Sequence, residues 1–469
     1  MSSRGERMHQ QHRWIVAPPA ADAESLALSL KTSPLIAQVL LNRGIADVDA
    51  CRTFLSPSPR LLNPPEAIRG LNTAAERIAR AIGAGEKIVI YGDYDVDGIA
   101  ATTILWHAIR LLGGRADYYI PHRIDEGYGL NAEALGQIID GGARLIVTVD
   151  CGVTAVAPAQ AARERGVDLI VTDHHEWKED EQGRPILPEC LAVVHPRLGY
   201  DPQTPSPNPH LCGAGVALKL AWGLGQSVAG AQRVQGHFRE FLIDATALAA
   251  LATIADVVPL VGENRVLAHF GLGGLKQARL PGLQALIQSA GLAGKNLDSY
   301  DCGFLLAPRL NACGRMGHAA LAVEMLTTAA PPRAAQIAEY LEGQNRARQA
   351  LEKKIFEQAM EQARALGCDS ADCRGIVLAL EGWHPGVIGI VASRIVGRFH
   401  RPAVLVALAN GQGQGSGRSI PGYHLAQALQ SCREHLLECG GHEMAAGLRI
   451  EVAEVEAFRE AFARHAAER

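Results

Sequence analysis

The fold class this sequence predicts is α/β: a parallel sheet with helices on both faces, a long helical connector, and a second, smaller α/β domain. Three observations lead there. Between residues 71 and about 195, short β-branched runs alternate with stretches of helical composition. From about 332 to 366 the chain turns polar and charge-rich, and after 370 the alternation resumes. Strands that alternate with helices form parallel sheets, because a parallel neighbour needs a crossover and a helix supplies it.

Taken in order, KIVIY (87–91), ADYYI (116–120), RLIVTV (144–149), VDLIVT (167–172) and LAVVH (191–195) are the strands, and AEALGQIIDGG and APAQAARERG are among the helices between them. YDPQTPSPNPH (200–210) is a proline-rich loop, and 211–290 is mostly helical. The segment 332–366 reads as one or two helices, with Gly343 arguing against a single rod. Beyond it come GIVLAL, VIGIVASRIVGRF, PAVLVAL, a glycine-rich loop GQGQGSGRSIPG (411–422), AQALQSCREHLLE, GLRIEV and a final helix. The predicted division is an N-terminal segment 1–70, a first domain 71–330 with a helical C-terminal part, a helical connector 331–368, and a smaller domain 369–469.

Composition narrows the function classes. Lys and Arg number 45 against 49 Asp and Glu, a formal charge of −4, so any site for a polyanion is local rather than a global basic field. The ten cysteines form no CxxC pair and read as reduced thiols of a cytoplasmic protein. MSSRGERMHQQHRW has no apolar core and so is no ordinary signal peptide. No apolar run of spanning length follows, which predicts no membrane partner.

The polar residues that carry chemistry fall at strand ends. Asp93, Asp95 and Asp97 follow the first strand at every second position, Asp150 follows the third, and Asp173, His174 and His175 follow the fourth. Open α/β sheets bind ligands at these carboxyl ends. A single Asp at a strand end is more often a helix cap or turn residue than a ligand. Three strands that deliver carboxylates and imidazoles to one edge are another matter, because like charges gathered there repel unless a cation sits between them. Four or five oxygen donors with one or two histidines suit Mn²⁺ or Mg²⁺, Mn²⁺ being favoured where imidazole takes part, whereas zinc more often recruits Cys.

In the second domain, His384 and Gly386 precede a helix, where free N–H groups can hold an anion. Arg418 and Ser419 sit among glycines that let the backbone approach a phosphate, and GGHEMAAG (440–447) adds Gly441 and His442. A glycine-rich loop is, however, more often just a turn. Arg123, in PHR, is a further phosphate candidate that reads equally well as a solvated loop arginine.

GDYDVDG, VTVDCGV, TDHHE and TIADVVPL (253–260) resemble the four signature motifs of the DHH phosphoesterase superfamily. PHRIDEGYGL (121–130), APRLNACGRMG (307–317), GWHPGVIGIVASRI (382–395) and GGHEMAAG are similar to those of its RecJ family of single-strand-specific 5′-to-3′ exonucleases. The motifs run in the family's order from 87 to 448. The resemblance implies a two-metal phosphodiesterase acting in DNA repair and recombination, with the smaller domain as the DHH-associated domain. Carried over by position, it makes Asp95 and Asp97 metal ligands, Asp150 the carboxylate shared by both ions, and His174 and Asp256 further ligands. Asp93 joins or supports the first ion, and His175 faces the substrate phosphate. Tyr91 stands where some relatives carry a ligand histidine. Arg309 and Asn311 complete the cleft with His384, Arg418, Ser419, Gly441 and His442. Two divalent ions roughly 3.5–4 Å apart can hold the attacking and leaving oxygens of an in-line displacement.

The implied partners are single-stranded DNA with a 5′ end, a single-strand-binding protein and a helicase, for a monomeric cytoplasmic enzyme. Relatives usually continue into an OB-fold, so a chain ending after the DHH-associated domain is expected to hold its strand weakly and to be salt-sensitive. Two alternatives accompany this reading: a phosphoesterase of the same superfamily for short oligonucleotides or other small phosphate substrates, and a non-catalytic DHH-like replication scaffold. The scaffold is disfavoured because every acidic and histidine position except Tyr91 is filled.

Overall fold

The computed structural model describes residues 15–122, 126–127, 129–200, 206–316, 318–370 and 372–468. Five strands form the first sheet: β1 Lys87–Gly92, β2 Arg115–Tyr119, β3 Leu145–Val149, β4 Asp168–Thr172 and, after a small hairpin of β5 Lys178–Glu179 and β6 Pro185–Ile186, β7 Ala192–Val194. Their order is β2-β1-β3-β4-β7, with every pairing parallel. The order reverses at β1, which places the ligand-binding crevice beyond the carboxyl ends of β1 and β3.

Alternation along the strands explains the two covering layers. Ile88, Ile90, Leu145, Val147 and Val149 enter one core, with the helices Leu71–Gly83, Val96–Leu111 and Gly213–Ala229 over them. Val89, Tyr91, Ile146, Leu169 and Val171 enter the other, against Ala132–Asp140 and Val156–Glu164. Ile88, Ile90, Leu145 and Ile146 are completely buried, and each such side chain contributes roughly 1.5–3 kcal/mol. The helices Ala23–Leu30, Pro34–Asn42 and Val48–Leu55 pack a separate small core around Leu26, Leu40 and Cys51.

The connector is a single helix, Pro331–Ala365. Gly343 sits within it; a glycine costs a helix about 1 kcal/mol relative to Ala. Burial at both ends offsets that cost. Ala334, Ile337 and Leu341 belong to the first domain's core, while Ile355, Ala359 and Ala363 belong to that of the second.

The second sheet comprises β8 Ile376–Glu381, β9 Ala403–Ala409, β10 Gln412–Arg418, β11 Glu438–Gly441 and β12 Ala445–Glu451, in the order β11-β12-β10-β9-β8. Only β8 and β9 are parallel. The expected glycine-rich loop is corrected here, since most of it is the central strand β10. Its glycines are packing requirements: a Cβ at Gly413 would lie 2.6 Å from Val406, and one at Gly415 would lie 2.6 Å from Leu448. The expected helix AQALQSCREHLLE is shorter, ending at Ser431 and followed by a 3₁₀ turn Arg433–His435. Among the described residues no helix is long and apolar enough to cross a membrane.

Candidate metal centre and cleft

Strand register brings the acidic residues together. The last paired positions, Gly92↔Val149 and Val149↔Thr172, are each followed by an aspartate: Asp93, Asp150 and Asp173. Asp95 caps the helix Val96–Leu111, its Oδ1 accepting from the N–H groups of Asp97 (2.9 Å) and Gly98 (3.1 Å). The tight turn needs Gly98, whose Cβ would stand 2.6 Å from Asp93 O. Asp97 is clamped by a second helix start, accepting from Gly213 N–H at 2.6 Å and Ala214 N–H at 2.7 Å, a favourable end for an anion. Gly213 also makes room for Asp150, since a Cβ there would lie 2.5 Å from its Oδ1. Asp150 itself has φ 63°, an uncommon conformation for a residue other than glycine. Asp256 closes the end of the helix Gly236–Ala255.

These side chains form overlapping groups. The ligand atoms of Asp93, Asp95 and Asp150 lie within 4.8 Å of one another, as do those of Asp97, His174 and Asp256. Asp150 joins the groups, its Oδ1 being 3.1 Å from His174 Nε2. His174 Nε2 is also 3.5 Å from Asp97 and 3.7 Å from Asp256.

The electrostatics are those of crowded anions. Burial, then the carboxylates of Asp97, Asp95 and Asp93, push the Asp150 carboxyl well above the usual range. Burial and Asp97 raise Asp95, and burial with Asp97 and Asp95 pushes Asp256 up to about 8. Burial lowers His174. Among the described residues, Asp150 Oδ1 and His174 Nε2 are buried without a hydrogen-bond partner, and they lie 3.1 Å apart. This oxygen-rich, imidazole-containing, thiol-free donor set fits Mn²⁺ or Mg²⁺.

Asp173 has a different role. Its Oδ1 accepts from the N–H groups of His174 (2.7 Å) and His175 (3.1 Å) and meets His175 Nδ1 at 2.8 Å, while its Oδ2 accepts from Val153 N–H at 2.9 Å. Burial would raise it, but these bonds hold it at about 2. Burial likewise opposes the charge on His175, yet Asp173 raises that imidazole to about 9. His195, which the sequence offered only as the end of a strand, positions the same loop. Its Nδ1 accepts from Arg197 N–H at 3.1 Å, so Nε2 carries the proton and donates to His175 O at 2.9 Å. Burial lowers His195 to about 4, which keeps it neutral. Tyr91 is no ligand. Its ring lies in the core under the sheet and its hydroxyl donates to Gly129 O at 3.0 Å.

The expected substrate contacts divide. His442 reaches the cleft, with Nδ1 3.3 Å from Glu176 of TDHHE. Arg309 is corrected: it is buried and pairs with Glu342 of the long helix at 2.7 Å. Asn311 Oδ1 accepts from Val96 N–H at 3.0 Å and so braces the metal-side turn. The anion site on free N–H groups beside His384 is also corrected, because Gly386 N–H donates to His384 Nδ1 (3.1 Å) and Val387 and Ile388 donate to His384 O. Ser419 is buried and donates to Tyr423 O at 2.6 Å. Gly441, at φ 144°, lets β11 approach Ala446, to whose Cα a Cβ would be 2.4 Å. Arg418 Nη1 donates to Ser416 Oγ and Gly417 O. Arg123 lies outside the described residues.

Comparison with known proteins identifies the family and the fold. The sequence model of the DHH family, N-terminal domain, matches residues 87–253, and that of the DHHA1 domain matches 373–468. The chain is 40% identical over 450 residues to the single-stranded-DNA-specific exonuclease RecJ of Bacillus subtilis (strain 168), covering 95% of this chain and 54% of that one. It therefore spans about half the length of that relative. To its namesake in Escherichia coli (strain K12) it is 35% identical over 454 residues, 94% of this chain and 76% of the other. Among solved structures, RecJ in complex with Mn²⁺ from Thermus thermophilus matches with TM-score 0.81 and 32% identity, over 97% of this chain and 62% of that one. An exonuclease RecJ bound to manganese matches with TM-score 0.73 and 35% identity, over 87% and 96%.

Proposed function

The chain belongs to the RecJ family, and from that premise we propose that it is a metal-dependent exonuclease that hydrolyses phosphodiester bonds of single-stranded DNA from the 5′ end, in DNA repair and recombination. The observation that carries the reading is the position of Asp150, within one group of carboxylates and 3.1 Å from the histidine of the next. A shared carboxylate is what two neighbouring ions require.

Asp93, Asp95 and Asp150 would hold one ion, and Asp97, Asp150, His174 and Asp256 the other. When bound, such a pair supplies Lewis acidity to the phosphoryl group and a nucleophile at neutral pH. The protein's own groups do the rest. Asp95 and the Gly213–Ala214 amides fix the carboxylates before substrate arrives, so little reorganisation accompanies the reaction. His175, tied through Nδ1 to Asp173, lines the cleft, where it can meet a phosphate oxygen and, when protonated, donate a proton to the leaving oxygen. His442 approaches from the opposite wall. A single-strand-binding protein and a helicase are the proposed protein partners of a monomeric cytoplasmic enzyme.

The test is digestion with Mn²⁺ of a single strand labelled separately at each end. Label should leave the 5′ end first. Release from the 3′ end first would overturn the polarity.

A further inference from the structure

Arg197 enters the cleft from the loop after β7, in VVHPRLGY, and has no role in the metal centre. Its side chain is 33% exposed, and with His174, His175, Glu176 and His442 it lines a cleft of about 400 Å³. Its position is fixed from below. The guanidinium lies over the Trp177 ring, 5.0 Å from the centroid, and Trp177 packs edge-on against buried His195 at 4.9 Å. Arg197 Nη2 is 3.5 Å from His174 O.

Opposite it stands Glu176. Its carboxylate oxygens are 3.7 Å from Arg197 Nη1 and 3.3 Å from His442 Nδ1. An anion is thus suspended between the two walls of the cleft, two residues beyond His174. The contacts are long and the Glu176 side chain is 63% exposed, so they are weak, as exposed ion pairs are. A phosphodiester oxygen carries the same sign of charge and can meet the guanidinium fork in the two-point geometry that arginine favours.

We propose that Arg197 and His442 form a subsite for a backbone phosphate of the bound strand, and that the Glu176 carboxylate occupies it until the strand displaces it. The inference rests on the single-strand exonuclease reading and adds to it a named phosphate contact and an internal competitor.

The experiment measures binding of a fluorescent single strand with phosphorothioate linkages at its 5′ end to the Mn²⁺-loaded protein, across a range of salt. Glu176→Gln should tighten binding about three- to tenfold. Arg197→Ala should weaken it about tenfold and lower the salt slope by about one. Arg197→Lys should keep the slope while losing part of the affinity. In the Arg197→Ala background the gain from Glu176→Gln should shrink markedly, because only the contact with His442 remains for the carboxylate to block. Persistence of the full gain, or an unchanged slope in Arg197→Ala, overturns the proposal. If Arg197→Ala fails to fold, Glu176→Gln decides alone, and no tightening overturns it. If the wild-type chain binds no strand, the exonuclease reading fails, and inorganic phosphate then decides the subsite by thermal protection. Protection that is larger in Glu176→Gln and lost in Arg197→Ala supports it; equal protection in all variants, or none, overturns it.

Discussion

On the sheet side of the cleft, Asp93, Asp97 and Asp150 are 4%, 2% and 1% exposed and crowd one another. On the other side the His442 side chain is 67% exposed, and Ser419 and His384 give their polar atoms to their own turn and helix. The contrast separates two ways in which a fold holds functional groups. Like charges brought together out of water are held only by a rigid frame: the cap at Asp95, the amides on Asp97, the left-handed turn at Asp150. Such an arrangement is hard to explain without the cation that relieves it. Hydroxyls, imidazoles and guanidinium groups are different, because the chain can satisfy them itself. Residue type is then a poor guide to role.

The largest effect that sharpens this comparison belongs to Asp150→Ala. Loss of the shared ligand should remove several kcal/mol of transition-state stabilisation, about a thousandfold or more in kcat, while in the metal-free protein the loss of a repulsive buried carboxyl offsets the roughly 1–2 kcal/mol that Ala costs at φ 63°, so that melting stays close to wild type. A destabilised variant would show that Asp150 serves the fold. Next comes Arg309→Ala, which leaves Glu342 with Arg346 alone. A loss of about 2–3 kcal/mol in stability is expected, short of the cost of a fully buried pair, with KM unchanged. Unchanged melting with a raised KM would return Arg309 to the substrate.

A smaller effect is the pH dependence of the metal-free protein. Asp95, Asp150 and Asp256 have carboxyls raised above their ordinary values by folding, Asp256 to about 8. The folded state therefore binds more protons than the unfolded state, and this contribution is lost as pH rises from about 4 through 8. His175, raised to about 9, acts with the same sign, whereas His174 and His195, lowered by burial, the latter to about 4, oppose it below about pH 6.5 and Asp173, held at about 2, opposes it only below about pH 4. The melting temperature should fall by several degrees between about pH 7 and 9, where these shifts agree in sign, and be nearly flat once Mn²⁺ saturates the site. A rising curve would mean that the carboxylates are compensated internally.

Much of the first wall was legible in the sequence. Strands announce themselves by β-branched runs, and DxDxD at a strand end keeps its meaning because the sheet's register decides where the next aspartate lies. What was hidden depended on distant partners. The pairing of Arg309 with Glu342 joins residues far apart in the chain, and nothing near APRLNACGRMG signals it. The clamp of Gly213 and Ala214 on Asp97 left only the glycine of LCGAG as a trace. GQGQGSGR reads as a loop because glycine is a poor strand former, yet Val406 and Leu448 leave room for nothing larger. His195 carried no signal beyond a histidine at a strand end.

Calorimetric titration of Mn²⁺ into the metal-stripped protein at pH 7, repeated in buffers of different ionisation heat, tests most directly the claim that a buried, uncompensated carboxylate cluster awaits two ions. Binding of two ions per chain is predicted, with net proton release as the raised carboxyls give up their protons. A single ion per chain, or two bound with no proton released, would contradict the account.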